Sequence, residues 1–199
     1  MQKLMCALLL MSTALCADPL LERSNLAHFE KLICDTEISE KIKEMAKTVN
    51  RDLEEAGIEN ITLIVLMKGG ICIGSDFMRA LDMASSLECI KTSSYGMKGM
   101  QRGELSITGL ENLNLEGKDI LLVDDIFDSG ATLSGVVDEI QMYNPKSIRS
   151  LILLNKDIPK KTTYKPDYTL FTIPDLFVVG YGMDYKECWR DLPHVYVIR

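Results

Sequence analysis

The 199-residue sequence lacks a basic excess, a metal-binding cysteine spacing and any internal repeat. Its 22 lysines and arginines are outnumbered by 29 aspartates and glutamates, and the net charge of −7 argues against nucleic acid as an obligatory partner. The six cysteines show neither C-x₂-C spacing nor the rhythm of a disulfide framework, so we expect reduced, mostly buried thiols. The histidines, His28 and His194, belong to no motif and receive no role.

The N-terminal residues form an unusual segment. Residues 4–16 are an almost uninterrupted apolar run behind one lysine, followed by small residues and Asp18-Pro19. This pattern is typical of a secretory signal peptide and is too short for a stable membrane anchor. A plain extension or an upstream start codon is the alternative. We therefore divide the chain into residues 1–31, an extension or signal-like segment, and residues 32–199, one domain with a sizeable core.

Downstream, apolar runs of strand length alternate with helical patterns. Such alternation predicts a parallel sheet with right-handed crossovers, flanked by helices. The predicted strands are 61–67, 86–95, 120–123 and 148–154; the predicted helices begin at Asp35 or Thr36 (ending at Gly57), at Ile71 and at Thr132. Three later stretches, 168–173, 177–181 and 194–198, are predicted to build a small hood over the carboxyl ends of the sheet.

The most informative stretch is residues 121–133, Leu-Leu-Val-Asp-Asp-Ile-Phe-Asp-Ser-Gly-Ala-Thr-Leu. An apolar strand is predicted to end at Val123, and a short polar loop then leads into a helix. The first turn of such a helix offers unpaired N–H groups and the positive end of the helix dipole to a phosphate. Ser129 and Thr132 add hydroxyl donors, and Gly130 lets the backbone approach the ligand.

The acids in this stretch, Asp124, Asp125 and Asp128, would repel a phosphate unless the ligand also carries hydroxyls or a metal. Adjacent carboxylates can accept hydrogen bonds from a vicinal diol or hold a hard cation. Diol, phosphate and Mg²⁺ together describe a ribose 5-phosphate with a charged substituent. For the acid pair alone, an acidic turn that caps a helix is the alternative. Gly69 and Gly74 have P-loop spacing but lack its lysine.

The complete string resembles the phosphoribosyl pyrophosphate (PRPP) signature of type I phosphoribosyltransferases. From about residue 33 to the C-terminus, the chain resembles the hypoxanthine (guanine) phosphoribosyltransferases. The later part of this resemblance rests on Lys156, residues 164–167 (Tyr-Lys-Pro-Asp), 173–175 (Ile-Pro-Asp), 177–181 (Phe-Val-Val-Gly-Tyr), 184–185 (Asp-Tyr) and 190–192 (Arg-Asp-Leu). Asp124 is a mild departure, because many relatives have glutamate there. The fold implied is a central parallel sheet flanked by helices, with a small C-terminal hood.

The resemblance implies a role for each part of the site. PRPP and its phosphate would be bound by Asp124, Asp125, Asp128, Ser129, Gly130, Ala131, Thr132 and Leu133. Pyrophosphate would be bound by Lys68, Gly69 and Arg190, with a non-proline cis peptide before the lysine. Mg²⁺ would be held by Asp124, Asp125 and Asp184.

The purine side is implied in the same way. Lys156 would donate to the 6-oxo group, Phe177 would stack on the purine, the Val178 backbone would contact its edge, and Asp184 would lie near the 2-position. Asp128 is the predicted general base at N7–H. Residues 96–106 would form a lid, with Ser94 and Tyr95 covering the reacting centre.

The predicted function is Mg²⁺-dependent transfer of 5-phosphoribosyl from PRPP to hypoxanthine and/or guanine, in a homodimer or homotetramer. Neither nucleic acid nor stable membrane association is expected. PRPP is a labile intracellular metabolite, so the cytoplasm is favoured, with export as the alternative for residues 1–17. Three other functions stay open: a xanthine-accepting 6-oxopurine enzyme, a PRPP-sensing regulator on the same fold, and a secreted binding protein that has kept the scaffold.

Overall fold

Residues 26–94 and 105–199 are described by a computed structural model. Residues 1–25, Tyr95 and residues 96–104 of the predicted lid lie outside this description. The elements are β1 (Phe29–Ile33), α1 (Asp35–Glu55), β2 (Asn60–Met67), α2 (Ile71–Ala80), β3 (Ala84–Ser94), β4 (Leu105–Thr108), β5 (Asp119–Phe127), α3 (Ala131–Gln141), β6 (Ser147–Lys156), β7 (Tyr168–Ile173), β8 (Val178–Val179) and β9 (Val195–Ile198). Short 3-10 helices occupy Leu26–His28 and Leu110–Asn112.

The central sheet has the strand order β4-β3-β2-β5-β6-β7, and all its pairings are parallel except β3 with β4. Strands β2 and β5 lie in the middle because their near-continuous apolar runs can be covered on both faces. Alternate residues of β2 serve opposite faces: Leu63 and Val65 pack on the side of α1 and α2, whereas Ile64 and Leu66 pack on the side of α3. The α/β class predicted from the sequence is confirmed.

The hood differs from the prediction in its strands. It is a three-stranded antiparallel sheet of order β1-β9-β8. Residues 168–173, predicted as hood, instead form β7 and pair in parallel with β6 in the central sheet. No α-helix lies in the connection 157–167. The helical pattern that usually indicates a parallel crossover is therefore missing from the sequence between these two strands. β1 crosses the boundary predicted between residues 31 and 32, and its pairing with β9 ties residues 29–31 to the hood.

Three element ends also differ from prediction. The N-cap of α1 is Cys34, whose N–H donates to the Glu37 side chain at 2.8 Å, so the helix cap is one residue earlier than predicted. β5 does not stop at Val123 but continues to Phe127, because its backbone keeps pairing with β6. β6 likewise includes Lys156, which was expected just after the strand. Polarity of the side chains therefore did not mark the strand ends.

The described helices are either too short or too rich in polar residues to cross a lipid bilayer. Among residues 26–94 and 105–199, no helix combines the length and the apolar character needed to cross a membrane.

Candidate active site

The carboxyl ends of β2 and β5 meet at one edge of the central sheet. A cavity of about 230 Å³ opens there, lined by Leu66, Met67, Gly69, Thr92 and residues 124–130, 132 and 133. Parallel strands place their carboxyl ends together, and ligands of open α/β sheets bind at that edge. The structure thus brings together two segments predicted as separate parts of one site, the acidic stretch after Val123 and the glycine after Lys68.

The paired acids of β5 are buried in this edge. Asp124 is 8% exposed, and its Oδ1 accepts a hydrogen bond from the N–H of Asp125 at 2.9 Å. Burial, and then the neighbouring charge of Asp125, hold the pKa of Asp124 well above its usual range. Burial also raises the pKa of Asp125, against the opposing effect of hydrogen bonds and of Arg190. Two carboxyl groups are thus held side by side where both cannot ionise cheaply, unless a ligand hydroxyl or a cation joins them.

The loop after β5 has the geometry of an anion cradle. Gly130 has φ 82° and precedes α3, which begins at Ala131. A side chain at Gly130 would meet the Phe127 ring at 2.7 Å and the Thr162 methyl at 2.6 Å, so only glycine fits this turn. Ser129, Ala131 and Thr132 are at least partly exposed at the helix start. Leu133 is 2% exposed and packs in the core, so only its backbone is placed to serve a ligand.

The segment after β2 lies directly against the acid pair. The Met67–Lys68 peptide is cis, as the resemblance implied. A Cβ atom at Gly69 would stand 1.8 Å from Oδ2 of Asp125, so the absence of a side chain there makes room for the buried carboxylate. The Lys68 side chain is half exposed, and its Nζ lies 2.5 Å from Oε2 of Glu187.

The hood contributes a second cation. Arg190 Nη2 lies 2.6 Å from Oδ1 of Asp184, and Nη1 donates to the Gly182 carbonyl at 2.8 Å. Nε of Arg190 is buried and has no hydrogen-bond partner within the described part of the chain. Arg190 is close enough to Asp125 to lower the pKa of that carboxyl. The predicted pyrophosphate ligands Lys68 and Arg190 are therefore joined through Glu187, since Nη2 of Arg190 also lies 3.5 Å from Oε2 of that residue.

The predicted purine contacts meet at the end of β6. Nζ of Lys156 lies 3.0 Å from Oδ2 of Asp128 and 3.1 Å from Oδ1 of Asp175. Burial lowers the pKa of Lys156, but the hydrogen bonds from the two carboxylates outweigh burial, and the pKa ends above its usual value. Lys156 is therefore a permanent donor at neutral pH, with only 12% of its side chain exposed. The predicted general base and the predicted 6-oxo ligand are direct neighbours.

An aromatic surface stands at the hood. Phe177 is 55% exposed, unusually open for a large apolar side chain, and meets the Tyr185 ring edge to face at 5.8 Å. The next residue, Val178, is buried in β8. One face of Phe177 is thereby available to a flat ligand.

The predicted metal ligands are only partly brought together. Within residues 26–94 and 105–199, no group of three or more His, Cys, Asp and Glu side chains is placed to hold a metal ion. Asp124 and Asp125 are adjacent, whereas Asp184 is bound to Arg190 and accepts from the Glu187 N–H at 2.8 Å. The pair alone fits Mg²⁺ well, because this ion usually binds through one or two carboxylates and completes its shell with water and substrate phosphates.

Sequence reasoning missed three residues of the site: Glu187, Asp175 and Lys160. Glu187 and Asp175 form ion pairs with the predicted ligands Lys68 and Lys156. A weak signal was present, because Asp175 lies two residues before Phe177 and Glu187 lies three residues from both Asp184 and Arg190. Lys160 reaches the phosphate loop from the 157–167 connection, and nothing in its local pattern indicated that contact. Ser94 ends β3 opposite Leu105, and Tyr95 lies outside the described residues.

Two adjacent acids, a loop at a helix start and two cations thus meet at the carboxyl edge of a parallel sheet, which is where α/β enzymes bind phosphorylated ligands. The family model of the phosphoribosyl transferase domain matches residues 35–186, and the chain belongs to the phosphoribosyltransferase family. This confirms the type I phosphoribosyltransferase fold and the enzyme family predicted from the sequence.

Several relatives with similar sequences are named hypoxanthine-guanine phosphoribosyltransferase. The hypoxanthine-guanine phosphoribosyltransferase of Aquifex aeolicus is 36% identical over 168 residues, which cover 84% of this chain and 93% of that protein. The human enzyme of the same name is 35% identical over 171 residues, covering 81% and 77%. The chain spans only 26% of the bifunctional TilS/HprT protein of Listeria innocua, at 34% identity over 168 residues and 84% of this chain.

Solved structures agree with the sequence relatives. Trypanosoma cruzi hypoxanthine phosphoribosyltransferase, in complex with the product IMP, superposes with a TM-score of 0.79 at 31% identity and covers 86% of this chain and 95% of that one. A hypoxanthine-guanine phosphoribosyltransferase from Bacillus anthracis gives a TM-score of 0.73 at 33% identity, with coverage of 85% and 98%.

The contact between Gly69 and Asp125 generates a prediction. Gly69→Ala places a methyl group 1.8 Å from Oδ2 of Asp125, so either the acid pair or the segment after β2 must shift. We expect kcat/KM for PRPP to fall about a hundredfold, the usual effect of an ångström-scale misplacement in a site. Steady-state kinetics with varied PRPP measure it.

Gly74→Ala is the matched control. Its added methyl would lie 2.5 Å from Cγ2 of Val65 in the core, away from the cavity. We expect this variant to lower Tm but to keep KM for PRPP. Equal kinetics in the Gly69→Ala variant and the wild type would show that the close approach has no role in the site.

Proposed function

We propose that the chain transfers the 5-phosphoribosyl group of PRPP to hypoxanthine and/or guanine, giving IMP or GMP and pyrophosphate. The observation that carries this proposal is the 3.0 Å pairing of the Asp128 carboxylate with the Lys156 ammonium. A 6-oxopurine presents N7–H, a donor, beside O6, an acceptor, on the same edge. A carboxylate and an ammonium side by side complement that edge. Adenine presents an amino group instead of O6 and would face the ammonium with a second donor.

The remaining parts of the purine site agree with this assignment. The exposed face of Phe177 suits stacking on the heterocycle, and the backbone of Val178 is the proposed contact at its edge. Asp184 is proposed to lie near the 2-position. Because most of the proposed contacts at the 2-position come from backbone groups, a xanthine-accepting enzyme is the nearest alternative. Asp128 and Lys156 would each exchange the other for a group of the base, so that both charged side chains keep a hydrogen-bond partner after binding.

PRPP is proposed to bind with its 5-phosphate on residues 128–133 and its ribose diol on Asp124 and Asp125. Lys68, Gly69 and Arg190 are the proposed pyrophosphate ligands. The buried Nε of Arg190, which has no hydrogen-bond partner among the described residues, supports this role, because such a donor gains a hydrogen bond when an anion enters. As the diphosphate leaves, it gains negative charge, which the two cations are placed to stabilise. On this proposal, Lys68 and Arg190 exchange their contacts with Glu187 for contacts with the diphosphate.

Mg²⁺ is the proposed cofactor, held by Asp124 and Asp125 together with the substrate. Asp184 is the third proposed ligand, once Arg190 has turned to the diphosphate. When bound, the ion would supply charge neutralisation for the diphosphate. The adjacency of the two carboxyl groups supports this proposal, because a nearby cation would offset the repulsion between their ionised forms.

The chemical step needs a proton acceptor for the purine. As N9 attacks C1′ of the ribose, the bond from C1′ to the diphosphate oxygen breaks and C1′ becomes oxocarbenium-like. Asp128 is the proposed base that takes the N7 proton, and its half-exposed carboxylate lies at the tip of the loop. Lys156 holds O6 and orients the ring. The lid, with Ser94 and Tyr95, is proposed to keep water from the cationic sugar.

The proposed setting is the cytoplasm, where PRPP is made and used. A homodimer or homotetramer is the proposed assembly, and the C-terminal region of the Trypanosoma cruzi relative has a role in that protein's oligomeric state.

A PRPP-sensing regulator is the second candidate function. The complete set Asp128, Lys156 and Phe177 favours the enzyme, because a sensor needs neither a proton acceptor nor a base-stacking surface.

The proposed base gives one prediction. Asp128→Asn removes the proton acceptor but keeps the size of the side chain. We expect kcat to fall about a hundredfold or more, the usual effect of general-base loss, with a much smaller rise in KM for PRPP. Steady-state and pre-steady-state rates of nucleotide formation separate the two effects. Near-normal turnover in this variant would remove Asp128 from the role. Asp157→Asn, an exposed neighbour of the strand end, is the control.

The proposed contact of Lys156 with the 6-oxo group gives another prediction. The wild-type chain, assayed with PRPP and Mg²⁺, should convert hypoxanthine or guanine and leave adenine untouched. Lys156→Ala should weaken 6-oxopurine binding and lose most discrimination against adenine, because the ammonium no longer opposes the amino group. Unchanged base selectivity would refute the assignment of Lys156. Tight PRPP binding with no turnover of any base would instead favour the regulator.

A further inference from the structure

Lys160 holds the phosphate loop from outside the cavity. Its Nζ donates to the carbonyl oxygens of Phe127 at 3.1 Å and Asp128 at 2.8 Å, and also to the carbonyl of Lys156. The same ammonium lies 4.9 Å from the centre of the Phe127 ring. One side chain from the 157–167 connection thus joins the loop of the proposed general base to the strand end of the proposed base-reading lysine.

The two residues after Lys160 extend this contact. The N–H of Lys161 donates to the Ser129 carbonyl at 2.8 Å, and Oγ1 of Thr162 donates to Oγ of Ser134 at 3.1 Å. We call residues 160–162 the strap. Through the strap, the carbonyls of residues 127, 128 and 129, three in succession, all accept hydrogen bonds from one side of the loop.

The direction of these carbonyls fixes the direction of the N–H groups. In a trans peptide the C=O of one residue and the N–H of the next point in opposite directions. Carbonyls of residues 127–129 that face the strap therefore turn the N–H groups of residues 128, 129 and 130 to the opposite side of the loop. Carbonyl oxygens carry partial negative charge, so their removal from the ligand side also removes a repulsion toward phosphate.

We propose that Lys160 is a positioning residue for PRPP binding: it holds the carbonyls of Phe127 and Asp128 outward, so that the loop presents donors to the 5-phosphate. This inference rests on the proposed function of the loop. Lys160 touches no reacting atom and acts through the backbone that it orients. Its third contact, to the Lys156 carbonyl, sets the spacing between the phosphate loop and the purine side of the site.

The test compares Lys160→Met with Lys161→Ala. Methionine keeps an unbranched side chain of similar length but removes the ammonium and its three N–H donors. Lys161→Ala removes the same charge from the adjacent, exposed position and keeps the backbone hydrogen bond to Ser129. With PRPP and Mg²⁺ as the probe, calorimetry should give a Kd about tenfold weaker or more in Lys160→Met, from loss of hydrogen bonds to a charged donor. Lys161→Ala should bind as the wild type does.

Lys160→Arg should restore most of the affinity, because guanidinium supplies several N–H donors to the same carbonyls. A merely structural role would lower Tm and leave Kd for PRPP in the folded protein unchanged. Equal Kd in the Lys160→Met and Lys161→Ala variants would overturn the inference. If Lys160→Met does not fold, Lys160→Gln replaces it: its amide has two N–H donors on a shorter side chain and cannot serve all three carbonyls, so a weaker Kd for PRPP is expected and wild-type affinity would overturn the inference. Failure of the wild-type chain to bind PRPP would contradict the proposed function itself.

Discussion

The burial of two adjacent carboxyl groups, Asp124 and Asp125, at the end of β5 is the constraint on which the rest of the site depends. A buried like-charged pair costs free energy in the absence of a ligand, and the high pKa of both acids reflects that cost. Gly69 leaves room for one carboxylate, and Arg190 of the hood faces it with a positive charge. The ends of β2 and β5 and the hood are thus organised around one unfavourable feature that a diol or cation relieves.

The cations of the site, unlike the acids Asp124 and Asp125, each form an ion pair with side chains of opposite charge. Lys68 is paired with Glu187, Arg190 with Asp184, and Lys156 with Asp128 and Asp175. Each proposed ligand contact therefore replaces a carboxylate of the chain by an anion or an acceptor of the substrate. The net change in paired charge is small, so affinity and release can be balanced. On the proposed function, the same exchange would free Asp128, the proposed base, as the purine takes over Lys156.

The local parts of this site could be predicted from the sequence, because strand, turn and helix start follow one another within residues 120–133. The sheet class could be predicted from the alternation of strand and helix patterns. The hood residues 177–181 and 194–198 could be predicted from the short strand patterns that follow it. What could not be predicted depends on distant pairing. β1 joins β9 across most of the chain, and β7 enters the central sheet without a crossover helix.

Side-chain partners were hidden for the same physical reason. Lys160 stands in a loop of lysines and threonines, and only the folded crossover brings its ammonium to the carbonyls of Phe127 and Asp128. The strand ends were misjudged because polar side chains were taken as the end of backbone pairing. In β5 the acids remain in the ladder, and that placement is what buries them.

Thermal unfolding of Asp124→Asn, with and without PRPP and Mg²⁺, tests the central claim most directly. The amide keeps an oxygen for the Asp125 N–H but removes the buried charge. The ligand-free variant should gain about 1 kcal/mol, a rise in Tm of roughly 2–4 °C, and should lose most of the stabilisation that PRPP gives the wild type. Asp138→Asn, on the exposed side of α3, is the control. A lower Tm without ligand, together with an undiminished response to PRPP, would contradict the account.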